Sequence, residues 1–99
     1  MPYLSAFFIG AFLCNAIPHL VAGVQGAPFP TPFAKPSGVG NSSPVVNVLW
    51  GAFNIAAGLA LFAWHPVVLG ANPLCLATAL GALAMGLFSA YHFGKVRNR

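Results

Sequence analysis

The chain has 99 residues, of which 59% are hydrophobic and 4% are charged, and it contains neither Asp nor Glu. Soluble domains carry about a quarter charged residues, so this composition fits a lipid bilayer better than water, and the length allows one small domain. The lack of carboxylates excludes acid–base catalysis by a carboxylate pair and Mg²⁺ or Ca²⁺ sites built on carboxylates, while four dispersed cations are too few for a nucleic-acid surface.

The first predicted element is a transmembrane helix over about residues 3–24. This stretch is apolar and carries no charged side chain, and about 20 helical residues span the hydrocarbon core of a bilayer. Asn15 and His19 are four residues apart and therefore share one face of the helix. Pro18 removes a main-chain donor and predicts a kink beside them. The N-terminus lacks the basic segment of a secretory signal, so we expect this helix to be retained.

The next segment is a Pro/Gly-rich loop over residues 25–43. Its first half alternates Pro with other residues, which prevents a helix and favours an extended polyproline II form. Its second half is rich in Gly and Ser, so we expect a flexible lead into the following helix. The sequence therefore predicts a semi-rigid connector at the level of the headgroups, where Lys35 contacts anionic lipids.

A second transmembrane helix is predicted over about residues 44–64, beginning at a proline that follows a serine. Two asparagines and two glycines recur in it at steps of four, three and four residues, and therefore share one face. Glycines allow close approach of a neighbouring helix and asparagines can hydrogen-bond across the contact. The predicted packing stripe consists of Asn47, Gly51, Asn54 and Gly58.

After a short turn over residues 65–72, a third transmembrane helix is predicted over about residues 73–93. It begins at a proline that follows an asparagine, and a glycine at position 94 is typical of a helix end. Small residues form one predicted packing face, namely Ala79, Ala82, Gly86 and Ala90. An adjoining face carries Ser89 and His92, and the tail over residues 94–99 holds three basic residues, Lys95, Arg97 and Arg99.

The distribution of positive charge predicts the orientation of the three helices. Cytoplasmic segments are enriched in Lys and Arg, so we expect the basic tail inside and, after three crossings, the N-terminus outside. The loop with Lys35 then also lies inside, and all four cations meet the anionic headgroups of the cytoplasmic leaflet. The fold class is therefore an all-α multi-pass membrane protein with three helices in a small antiparallel bundle. We expect it in the plasma membrane, which in a bacterium is the inner membrane.

Counting residues from the predicted helix ends places the polar side chains at three levels. Asn15 lies nine residues from Val24 and Asn54 lies nine residues from Val45, so both are close to the bilayer midplane. His19, Trp50 and Ser89 lie about one turn nearer the loop. Asn47 and His92 lie at the rim. The sequence predicts a polar column with three pairs, Asn15–Asn54, His19–Ser89 and Asn47–His92, flanked by Pro18 and Trp50.

These features predict a non-enzymatic membrane subunit that associates laterally in a homo-oligomer or a larger membrane complex, through the glycine and alanine faces of the second and third helices. No nucleophile, base and orienting group occur together. The alternative is a homo-oligomeric transporter or channel for a small neutral or anionic solute at Asn15, His19 and Asn54. Histidine ligation of haem or copper and lipid-headgroup binding by the loop are weaker alternatives. We expect neither a metal nor a cofactor.

Overall fold

The computed structural model describes residues 1–98 and consists of three long helices and one small hairpin. The helices are α1 (Pro2–Val24), α2 (Pro44–Trp64) and α3 (Pro73–Arg97), and the loop contains β1 (Phe29–Pro30) and β2 (Asn41–Ser42). Each helix has a window of 18 residues with a mean hydropathy of 1.8, so all three are long and apolar enough to cross a membrane. The longest dimension, 40 Å, matches a bilayer with its headgroup regions.

Local chemistry sets the start of each helix. All three begin with proline, whose missing N–H has no partner to lose in a first turn. The Ser43 hydroxyl accepts a hydrogen bond from the Val46 N–H at 3.2 Å, and Asn72 Oδ1 accepts one from the Cys75 N–H at 2.9 Å. The end of α3 differs from the prediction, because the helix continues through Gly94 to Arg97. Most of the basic tail is therefore helical.

α1 is the central helix, and α2 and α3 pack on either side of it with hardly any contact between them. The neighbours of the glycines give the directions. Gly58 lies beside Leu13 and Gly23 beside Val48, so α1 and α2 are antiparallel. Gly86 lies beside Cys14, whereas the earlier Gly81 lies beside Phe7, so α1 and α3 are parallel. We call the end with residues 25–43 and the C-terminus the loop end, and the end with residues 65–72 the turn end.

The contact between α1 and α3 depends on two glycines. A Cβ atom added to Gly10 would overlap the carbonyl oxygen of Thr78, and one added to Gly81 would overlap that of Phe7. Gly81 is the one fully buried residue of α3. The predicted small-residue face of α3 is half wrong in this respect. Ala82 and Gly86 do face α1, whereas Ala79 and Ala90 are exposed.

The loop folds back against the helices, a contact that the predicted connector at the level of the headgroups did not include. β1 and β2 pair antiparallel, with Phe29 opposite Ser42 and Pro30 opposite Asn41, and Pro30 and Thr31 are buried. The physical reason is that α2 and α3 hardly touch each other, which leaves space beside α1 that apolar loop residues fill. Phe33 follows the loop back along α2, where its ring packs edge-on against Trp50 at 5.1 Å, and it stays 64% exposed.

Candidate functional site

A partly open cavity of about 330 Å³ lies near the loop end and is lined by residues of all three helices and the loop. The lining residues are Asn15 and His19 of α1, Trp50 of α2, Met85, Phe88, His92 and Phe93 of α3, and Pro30, Thr31, Pro32, Ser37 and Gly38 of the loop. The cavity thus joins three residues of the predicted polar column, Asn15, His19 and His92, and the flanking Trp50 with loop residues that the sequence did not associate with them.

The first polar feature of the cavity is the pair formed by His19 and Asn47, which are 2% and 0% exposed. Asn47 Nδ2 donates to three main-chain carbonyl oxygens, of Phe29, Ser42 and Ser43, at 3.0, 3.2 and 3.1 Å. Carbonyl oxygens only accept, so this end of the amide is the NH₂ group. Its Oδ1 atom therefore faces His19 Nδ1, at 2.8 Å, and Nδ1–H is the donor. In the neutral ring, Nε2 is left as an acceptor.

The second polar feature is the pair formed by Asn15 and Asn54, which repeats this arrangement about one turn nearer the turn end of the protein. Asn54 Nδ2 donates to the carbonyl oxygen of Trp50 at 2.8 Å, so Asn54 Oδ1 is the atom that accepts from Asn15 Nδ2 at 3.0 Å. Asn15 Oδ1 then remains as an acceptor. Both bridges join α1 to α2, and in both the α2 asparagine is anchored on main-chain carbonyls.

Aromatic rings surround His19 at the loop end. Phe29, Trp50 and Phe93 pack edge-on against the imidazole, with ring centroids at 5.4, 6.4 and 6.3 Å. These rings come from the loop, α2 and α3, so the imidazole is fixed by every element around it. Because edge-on packing is a favourable aromatic geometry, the ring orientation is set by packing as well as by the bond to Asn47.

His92 attaches the loop to α3. Its Nε2–H donates to the carbonyl oxygen of Gly38 at 2.7 Å, and its ring stacks on Phe88 with a centroid distance of 5.8 Å and an interplanar angle of 5°. Gly38 has a φ of 70°, which a residue with a side chain adopts only with strain. Within the loop, the Gly38 N–H donates to the Thr31 carbonyl oxygen at 2.9 Å.

The hydrogen bonds in the structure differ from the pairs of the predicted polar column. Asn15 and Asn54 are hydrogen bonded, but the other two predicted pairs are wrong. His19 is bonded to Asn47 rather than to Ser89, and His92 is bonded to the loop. Ser89 is half-buried and does not line the cavity, and Pro18 lies inside α1 beside His19.

The predicted packing stripe of α2 is buried within the chain, against α1 and, at Asn47, also against the loop. Its members Asn47, Gly51, Asn54 and Gly58 are the buried residues of that helix. Gly51 lies beside Leu20 and Ala16, and Gly58 beside Leu13. The stripe is therefore occupied within one chain, and the prediction that it joins separate subunits is wrong.

The basic residues lie apart from this cavity. Lys35 is exposed on the loop, and Lys95 Nζ lies 5.2 Å from the centroid of the Tyr91 ring. Arg97 lines a separate hollow at the loop end, and Arg99 lies outside the described residues. Over residues 1–98 no three His, Cys, Asp or Glu side chains are grouped as a metal site would require.

Sequence reasoning missed the contribution of the loop to the site. Thr31, Ser37 and Gly38 line the cavity, together with Met85 and Phe88 of α3. The one available signal was the apolar Phe-Pro-Thr-Pro-Phe run over residues 29–33, which is poorly suited to solvent. Comparison of the chain with family models, with curated proteins and with solved structures found no match.

Proposed function

We propose that this chain is a three-span membrane protein that binds a small uncharged solute in the cavity between the loop and the three helices. The observation that carries the proposal is the pair of asparagine bridges, which hold His19 and Asn15 against the cavity with one acceptor atom of each left over. A group held this firmly on packed helices is typical of a binding site, since preorganised polar atoms give a site its specificity.

Membrane insertion is part of this proposal, with the loop end on the cytoplasmic side and the N-terminus outside. Support comes from the mean hydropathy of the three helices and from the charge distribution, since Lys35, Lys95 and Arg97 all belong to the loop end. The outer surface carries large apolar side chains such as Leu76, Leu83 and Leu87, which are more than half exposed. Lipid tails would cover this surface without cost.

The lining of the cavity favours an uncharged solute. None of its residues is an acid, Lys or Arg, and an ion inside a membrane needs an opposite charge or many dipoles around it. Aromatic and apolar side chains supply most of the wall, while His19 and Asn15 supply the directional contacts. This combination is the usual composition of a small-molecule site.

A fluorescence titration tests the proposal. The chain has two tryptophans, so Trp64→Phe leaves Trp50, on the cavity wall, as the one indole reporter. The purified variant in mild detergent is titrated with uncharged alcohols, amides, sugars and phenols, and we expect at least one class to change Trp50 emission saturably.

Met85→Phe, which narrows the cavity, should weaken that response. Leu83→Phe on the exposed face of the same helix is the matched control. A panel in which no compound changes the emission of the folded protein would refute the proposal.

Lateral association with other subunits is a second candidate function. Because the glycine and asparagine stripe of α2 is buried within the chain, association would use another surface. Four alanines of α2 face away from α1 and are exposed, namely Ala52, Ala56, Ala60 and Ala63. Small residues at steps of three and four allow close approach of a second helix in lipid. The protein mass in mild detergent tests this candidate. A dimer or larger species that Ala56→Ile dissociates is the expected result, and a monomeric native chain would contradict it.

A further inference from the structure

A hollow of about 310 Å³ lies at the loop end, beside the cavity that His19 lines. Three residues of α3 line it, namely Phe93, Val96 and Arg97. The second and third of these follow the first by three and four residues, so all three share one face of the helix. Because α3 continues past Gly94 to Arg97, it carries a cation on the same face as two apolar side chains.

The loop residues that line the hollow belong to anchored main chain. Phe29 and Pro30 lie in β1 and Asn41 lies in β2, and Pro30 pairs with Asn41 in the hairpin. The buried Asn47 side chain donates to one carbonyl oxygen in each strand, at 3.0 and 3.2 Å. The rings of Phe29 and Phe93 have centroids 4.7 Å apart, which joins the hairpin to α3. The hollow is therefore formed by elements that pack against each other, and it is preformed, as most ligand sites are.

Arg97 gives the hollow a positive charge that no side chain of the protein can neutralise, since the chain contains no Asp or Glu. The carbonyl groups at the end of α3 carry about half a negative charge, which offsets part of it. Lys35 and Lys95 belong to the same end of the molecule and add to the positive potential. The attraction between charges depends on their separation and not on the direction in which a side chain points. A ligand in this hollow is therefore expected to carry a net negative charge.

The other lining residues favour an anion that has an apolar part. Apart from Arg97 and Asn41, every residue that lines the hollow has an apolar side chain. A free phosphate ion would lose part of its hydration against such walls. Phe93 precedes Arg97 by one helical turn, so its main chain lies about 6 Å nearer the centre of the proposed span. In an inserted protein, an apolar side chain below a cation matches the order of acyl chain and phosphate in a phospholipid.

We propose that the hollow binds one anionic phospholipid from the leaflet at the loop end, with its phosphate near Arg97 and the start of its acyl chains against Phe29 and Phe93. This differs from the general attraction of basic residues to a charged surface, because it requires one concave site and one particular cation. The inference rests on the proposed membrane insertion and is independent of solute binding in the neighbouring cavity.

Native mass spectrometry from mild detergent tests the inference. The purified chain is incubated with equal amounts of phosphatidylglycerol, which is anionic, and phosphatidylcholine, which has no net charge, both with the same acyl chains. We expect one phosphatidylglycerol to be retained per chain, with a preference of about fivefold, the factor that one Lys or Arg contributes near anionic lipid. Glycerol phosphate, a soluble headgroup without acyl chains, should not displace it. Displacement at equal concentration would indicate a site for a free phosphate ester and would overturn the inference.

Charge-matched variants separate the hollow from the general surface charge. Arg97→Gln and Lys95→Gln each remove one cation from the last turn of α3, but Lys95 lies over the Tyr91 ring and does not line the hollow. Arg97→Gln should abolish the preference for phosphatidylglycerol, whereas Lys95→Gln should retain it. At about 0.15 M salt, charges more than about 8 Å apart are largely screened, which suppresses the general attraction. Equal losses in the two variants would show that attraction to be the cause and would overturn the inference.

A second pair of variants tests the hollow without changing its charge. Val96→Trp places a larger side chain on the wall and should weaken the retention of phosphatidylglycerol. Val24→Trp is the matched control, because Val24 is 73% exposed at the loop end of α1 and does not line the hollow. Equal retention by the two variants would contradict binding in the hollow.

Flotation with vesicles of phosphatidylcholine alone tests the insertion on which the inference rests, since these vesicles carry no net charge. We expect the protein to float with them after a wash at high pH. Failure to float would overturn membrane insertion and the lipid site together. Flotation without any preference for phosphatidylglycerol in the mass spectra would overturn the lipid site alone and leave insertion and solute binding intact.

Discussion

Replacing Asn47 by Leu should destabilise the fold more than any other single polar substitution. The Asn47 side chain is 0% exposed and connects three elements, because it accepts from His19 of α1 and donates to the carbonyl oxygens of Phe29 and Ser42 in the loop. Leu has a similar size, so the change removes the hydrogen bonds with little change in packing. The His19 Nδ1–H and the loop carbonyls lose their partners.

The magnitude follows from the bonds that are lost. An interhelical hydrogen bond in a membrane protein contributes about 0.6 kcal/mol on average and about 1.7 at most. Two of the Asn47 bonds, to His19 and to the Phe29 carbonyl, join segments that are distant in sequence. We therefore expect the free energy of unfolding to fall by about 1–3 kcal/mol. Asn41→Leu is the control, since Asn41 is exposed and its side chain makes no hydrogen bond within residues 1–98.

The assay is reversible unfolding in mixed micelles with increasing fractions of a denaturing detergent, followed by tryptophan emission. Asn41→Leu should shift the free energy of unfolding by no more than about 0.5 kcal/mol. A double-mutant cycle with His19→Phe isolates the His19–Asn47 bond. The two substitutions together should lower the free energy of unfolding by less than the sum of their separate effects. Equal stability of Asn47→Leu and Asn41→Leu, or zero coupling in the cycle, would refute the bridge as a structural element.

Three further predictions concern packing, orientation and transport. Gly81→Ala should lower the free energy of unfolding by about 1–3 kcal/mol, because the added methyl group would overlap the main chain of α1. Gly94→Ala has open space around it and should raise the free energy of unfolding by up to about 1 kcal/mol. Equal effects of the two substitutions in the same detergent unfolding would contradict the close contact at Gly81. In a chain without its native cysteines, Ser37→Cys and Leu69→Cys should react with a membrane-impermeant maleimide from opposite sides of a vesicle, and labelling from the same side would contradict three crossings. If the cavity serves transport, Asn15→Ala should reduce solute flux into liposomes at unchanged protein mass in detergent; unchanged flux would separate binding from transport.

Much of the helical framework could be predicted from the sequence because its determinants are local. Apolar length, proline in the first turn and capping by Ser43 and Asn72 depend on neighbouring residues alone, and the starts of α2 and α3 at Pro44 and Pro73 are confirmed. The stripe on α2 is also a local property, since its members Asn47, Gly51, Asn54 and Gly58 share one face of any helix. Neighbouring residues in the sequence do not determine which helix covers this stripe.

Counting levels from helix ends failed where the end itself was wrong. α3 continues to Arg97 instead of ending at residue 93, so Ser89 and His92 were placed about one turn from their actual neighbours. The pairing of Asn15 with Asn54 follows from α1 and α2, the two helices that the loop joins directly and whose predicted loop-side ends were accurate. His19 found Asn47 rather than Ser89 because the offset between two helices depends on their packing, which residue counts do not contain.

The sequence by itself determined three apolar spans, the distribution of basic residues and the hydrogen-bonding faces of α1 and α2, because each depends on residue type and on a fixed helical period. Only the tertiary structure decided that α1 is central, that Gly10 and Gly81 allow α3 to approach it, and that the loop folds back over His19. These features depend on how side-chain volumes fill the space between the helices. That same packing places His19 and Asn15 beside loop residues that lie far from them in the sequence.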